Sequence, residues 1–80
     1  MSIQGDQREE ERVERHKDET IRARGKMLGG QLHGHWEWFR EDGTKMRSGS
    51  FDHGKQVGEW TTYTRDGRVV KTTQFQTGRT

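Results

Sequence analysis

GHWEWFREDGTKMRSGSF, residues 34–51, holds two of the three tryptophans and two of the three phenylalanines in an 80-residue chain. Asp42-Gly43 sits between its two strand-like runs. That dipeptide is a strong short-range signal for a two-residue type I′ turn, whose central residues both take positive φ. The stretch therefore reads as a β-hairpin.

Shifted by twenty-four residues, the stretch meets itself. Gly30 falls on Gly54, Gly34 on Gly58, Trp36 on Trp60, Phe39 on Tyr63, Asp42-Gly43 on Asp66-Gly67 and Phe51 on Phe75. A fixed period with glycines and aromatics in register is the mark of a repeat architecture. With Gly29-Gly30 and His53-Gly54 as the opposite corners, the chain is expected to be all-β. The expected fold is a single antiparallel meander of about five strands, near residues 21–28, 31–41, 44–52, 55–65 and 68–76.

Side chains alternate across a strand, so this register sorts them onto two faces. One face collects Ile21, Met27, Leu32, Trp36, Trp38, Phe51, Trp60 and Phe75, with Gly25 opposite Gly34 and Gly49 opposite Gly58. Glycine on a neighbouring strand leaves open backbone for an indole to lie on, and Trp36 is expected across from Gly49. The other face carries Phe39 opposite Met46 and Tyr63 opposite Val70. It is otherwise polar, with Arg22, Arg24, Lys26, His33, His35, Glu37, Ser48, Ser50 and Glu59.

The repeat units resemble the variant form of the MORN repeat, which reads roughly G-x-x-x-G-x-W-x-x-Y/F-x-x-x-G. Gly30, Gly34, Trp36, Phe39 and Gly43 make one unit, and Gly54, Gly58, Trp60, Tyr63 and Gly67 make the next. Residues 21–28 resemble the second half of a truncated preceding unit. The resemblance implies a scaffold for interactions; some bacterial proteins of this kind are described as antitoxins, and other MORN proteins are linked to membrane lipids or protein assembly.

Hydrophobic residues make up only 24% of the chain and charged residues 35%. The charge is unevenly placed. Residues 1–20 carry seven acids and four bases, and residues 21–80 carry six acids and eleven bases. The first twenty residues have almost no apolar stripe to bury, so they are expected as a charged tail or short helix. The repeats then occupy 21–76 and a short tail 77–80. There is no cysteine to staple the fold. No apolar run reaches the ~18 residues of a membrane span, and the amino terminus lacks the apolar core of a signal peptide. A cytoplasmic location is expected.

No nucleophile, base and acid are spaced as a catalytic set, and no glycine-rich phosphate loop is present. The chain is expected to be no enzyme and to need no cofactor. His33 and His35 share a strand face but lack a third metal ligand, so no metal site is expected. A bare sheet cannot bury both faces, which points to binding. The expected partner is a protein, or a second copy in a homodimer, held by Trp36, Trp38, Phe51, Trp60 and Phe75. Such a protein would act by occluding its partner, as a small antitoxin or inhibitor does. The competing reading is nucleic acid, or another polyanion, bound through Arg22, Arg24, Lys26, His33 and His35.

Overall fold

The structure, a computed structural model, describes residues 9–76. Six strands run in chain order: β1 (Glu9–Arg15), β2 (Ile21–Leu28), β3 (Gln31–Phe39), β4 (Lys45–Asp52), β5 (Lys55–Tyr63) and β6 (Val69–Phe75). Each pairs antiparallel with the next in one open sheet ordered β1-β2-β3-β4-β5-β6. The Cα positions span 49 × 36 × 13 Å, the thickness of a single layer. The all-β meander read from the repeats is the fold.

The charged segment is part of it. Residues expected as a tail or helix supply β1, and the β1–β2 hairpin is a third, degenerate copy of the repeat. In its corner His16 N–H donates to the Thr20 carbonyl at 2.8 Å, and Glu19 N–H donates to the His16 carbonyl at 2.9 Å. Twenty-four residues on, Arg40 and Gly43 make the same two bonds, and Thr64 and Gly67 make them again. Asp18 Oδ1 accepts from the backbone and hydroxyl of Thr20 at 3.1 and 2.7 Å, as Asp42 Oδ1 does from Thr44 at 3.0 and 2.7 Å. Glu19 holds φ at 78°, where Gly43 and Gly67 hold 89°. Pairing with β2 supplies the backbone partners that a solitary charged strand lacks, and this overrides the helix propensity of its Glu and Arg.

The Asp-Gly corners differ from the expected type I′ turns. Asp42 and Asp66 are absent from the positive-φ residues, and only the glycine after each is left-handed. The loops are therefore three residues long, a turn followed by a left-handed glycine. Gly29-Gly30 and His53-Gly54 do have positive φ at both positions, as two-residue type I′ turns require.

The extra loop residue shifts the pairing by one. Phe39 faces Lys45 in place of Met46, and Tyr63 faces Val69 in place of Val70. Met46 and Val70 are then left over as bulges, which restore Trp38 opposite Arg47 and Thr62 opposite Lys71. Arg22 occupies the same place in the first hairpin. There the bulge moves Ile21 off the aromatic face to share a cleft with Arg24 and Phe39.

Candidate aromatic interface

Gly34 and Gly58, each two residues before a tryptophan, hold φ at 78° and 72°. There the pairing jumps from Lys26–His33 to Arg24–Glu37, and from Ser50–Val57 to Ser48–Thr61. Two additional residues of β3 are thereby set against Gly25, and two of β5 against Gly49. These bulges replace the expected Gly25–Gly34 and Gly49–Gly58 pairs.

The consequence is where the indoles fall. A Cβ on Gly25 would stand 2.2 Å from Cδ2 of Trp36, and one on Gly49 would stand 2.0 Å from Cδ2 of Trp60. Trp36 is backbone partner to Gly49, as expected. Its ring nonetheless lies over Gly25, on the strand to its other side. Each indole Nε1–H donates back across the sheet, Trp36 to the Lys26 carbonyl at 2.9 Å and Trp60 to the Ser50 carbonyl at 3.2 Å. Burial leaves the two rings 2% and 4% exposed. Of the aromatics expected to face a partner, these two are spent on the chain's own backbone.

The other three build the outer surface of that strip. Phe51 stands edge-on to Trp60 at 5.1 Å, Phe75 edge-on to Trp60 at 6.1 Å, and Trp38 tilts against Trp60 at 5.3 Å. All three are half-buried. The exposed Arg47, which composition alone does not single out, sets its guanidinium 5.0 Å from the Trp60 ring centre and 5.8 Å from that of Trp38. One strand over from β2, the indole and Trp38 positions are taken by Arg12 and Glu14, whose ion pair at 2.9 Å also receives Arg22 at 2.8 Å. Those two cations hold the Glu14 carboxyl below its usual range, Arg22 contributing most.

The basic set expected for a polyanion does not come together. Arg22 lies on the aromatic side, in a cleft with Ala23, Trp36 and Trp38. His33 turns to the β4–β5 corner, where its Nδ1 accepts the His53 N–H at 3.1 Å. Arg24, Lys26 and His35 of that set share a cleft, and Glu9, Glu11 and Glu37 line it with them. Glu37 binds Lys45 at 3.0 Å and Arg24 at 3.3 Å, and these contacts, Lys45's first, depress its pKa.

His33 and His35 do not converge on a metal position. His33, Asp52 and His53 instead bring three donor atoms within 4.8 Å of one another, a set that could hold a transition-metal ion. The side chains already have partners: Asp52 Oδ1 contacts His53 Nδ1 at 2.7 Å, and His33 Nδ1 is committed to the turn backbone.

The sign that the first hairpin exists was present in sequence. Asp18-x-Thr20 stands twenty-four residues before Asp42-x-Thr44. Its glycine has become Glu19 and its aromatics Arg12, Glu14 and Arg15, so a search keyed to glycine and tryptophan passes over it. No protein-family model, curated protein or solved structure matches the chain.

Proposed function

We propose that the protein is a non-catalytic binding module whose contact surface is the outer aromatic strip of Trp38, Phe51 and Phe75 with Arg47. Aromatic residues and arginine are the types enriched at the centres of protein interfaces. The observation that carries this reading is Trp38. The second unit has Thr62 at that position, so the repeat does not need an indole there to fold, and Trp38 remains partly open to solvent. A protein partner occluded by this strip is the form of action proposed, as a small inhibitor or antitoxin would exert it. Polyanion binding ranks below it because the Arg24, Lys26 and His35 cleft is interleaved with carboxylates.

Affinity capture from native lysate, comparing the full chain with Trp38→Thr, tests the reading. The expected result is a protein retained between about 50 and 200 mM salt and lost with Trp38→Thr. Steep loss over that salt range, together with co-eluting nucleic acid and no dependence on Trp38, would favour the polyanion reading. Identical captures by both chains would remove Trp38 from any binding role.

A further inference from the structure

Among the described residues, β1 and β6 each have a neighbour on one side only. These edges are unlike each other in charge. β1 reads EEERVER, while β6 reads VVKTTQF and has Lys71 as its sole charge. In the period of twenty-four, β1 stands where β3 and β5 stand, and β6 stands where β2 and β4 stand. The junctions between units, β2 to β3 and β4 to β5, are thus templates for what would follow β6.

We propose that copies of this chain join head to tail, β6 of one pairing antiparallel with β1 of the next. The templates set the register. Ala23 faces Trp38 and Arg47 faces Thr62, and one period further Lys71 faces Glu14 of the following copy. Glu10 of β1 stands where Gly34 and Gly58 stand, but it does not hold the positive φ that accompanies their two-residue bulges. The ladder therefore continues straight, with Thr72 on Val13, Thr73 on Arg12 and Gln74 on Glu11.

Charge and shape agree with that register. Lys71 meets a carboxylate, and opposite charges directly across a strand pair are favourable. At the corners, Arg65 Nε binds Asp42 Oδ2 at 2.7 Å and ties neighbouring loops together. The same step places Lys17 of the following copy against Asp66. Val69, 60% exposed, stands where Lys45 lies over the Tyr63 ring, and would meet the stem of Arg15. Pairing β1 with β1 across a two-fold axis would instead set two glutamate-rich strands side by side.

Joining unlike edges produces an open chain or a ring rather than a two-fold dimer. Phe75 belongs both to β6 and to the aromatic strip, but the pairing runs through the backbone edge of β6 and Lys71. Trp38 lies in β3, away from both edges, so Lys71→Glu and Trp38→Thr separate this assembly from the binding reading above.

Sedimentation velocity on the full chain over a rising concentration series tests it. The expected result is a mean mass that climbs past twice the monomer. Lys71→Glu, which sets a carboxylate against Glu14, should weaken association about fivefold or more, and Lys17→Glu should weaken it in the same direction. Lys71→Arg should associate as the parent does, and Trp38→Thr should leave association unchanged. Circular dichroism of each variant separates lost pairing from lost fold. A monomer throughout, a mass that stops at the dimer, or folded Lys71→Glu associating like the parent would overturn the proposal.

Discussion

The indole of Trp60 lies directly on the backbone of Gly49, with its Nε1–H given to the carbonyl of the next residue, Ser50, at 3.2 Å. Trp36 repeats the arrangement on Gly25 and Lys26. A sheet one layer thick has no second layer to cover its core. Here the core is made within the layer, by sinking each large ring into a gap where a side chain is missing. The two-residue bulges at Gly34 and Gly58 aim the rings into those gaps.

Gly49→Ala and Gly25→Ala should therefore destabilise the fold, although alanine is otherwise tolerated better than glycine in a strand. The new methyl would fall on ring atoms of a buried tryptophan, and over-packing of this kind costs about 1–3 kcal/mol. Urea unfolding of each variant, followed by circular dichroism, checks this. A variant as stable as the parent would mean that the indole can lift away freely.

Glu19→Gly should stabilise the chain by about 0.5–1 kcal/mol. Glu19 holds φ at 78°, a left-handed conformation that costs an L-residue with a Cβ about 1–2 kcal/mol, part of which glycine returns as unfolded-state entropy. Gly43→Ala at the equivalent corner should move stability the other way. Thermal midpoints of the two variants give the comparison.

Trp38 and Trp60 should separate on truncation. Trp60→Ala removes a buried ring and its hydrogen bond and should cost about 3–5 kcal/mol. Trp38→Thr, which copies the second unit, should cost about 1–2 kcal/mol, in line with its edge and tilted contacts to neighbouring rings. Chemical denaturation of both variants measures the gap.

Acid should loosen the corners. Asp42 is held well below the usual carboxylate range by the Thr44 hydroxyl first, then the Thr44 N–H and Arg65. Asp18 and Asp66 are lowered in the same way, chiefly by Thr20 and Thr64. A carboxyl with a lower pKa folded than unfolded adds stability that is fully present above its unfolded value. That stability is lost as pH falls towards the folded value, because the unfolded chain binds the proton more readily. Stability should thus fall from about pH 4 downward, and Asp42→Asn should flatten the slope. Thermal midpoints between neutral pH and about pH 2 test it, and equal slopes for parent and variant would assign the acid response to other groups.

Much of this was legible in the residues, and for identifiable reasons. The aromatic strip could be read because Trp36, Phe51, Trp60 and Phe75 recur in a period that strand alternation converts directly into one face. Asp42-Gly43 marked a corner correctly, but the dipeptide serves two- and three-residue loops alike, so the one-residue shift to Lys45 and the bulge at Met46 were hidden. The first hairpin was obscured because backbone pairing asks little of side chains. Asp18 and Thr20 keep the corner, while Arg12 and Glu14 fill aromatic positions with an ion pair that composition reads as solvated charge.

Period, chain direction and the identity of the buried face follow from the sequence alone, since they depend only on spacing along the chain and on side chains alternating across a strand. Which glycine each indole covers, which aromatics stay open, and where the basic residues part company were decided in the tertiary structure. Those outcomes turn on bulges and corner geometry. A single inserted residue exchanges one face for the other, and its cost is set by the neighbouring strand rather than by the residue itself.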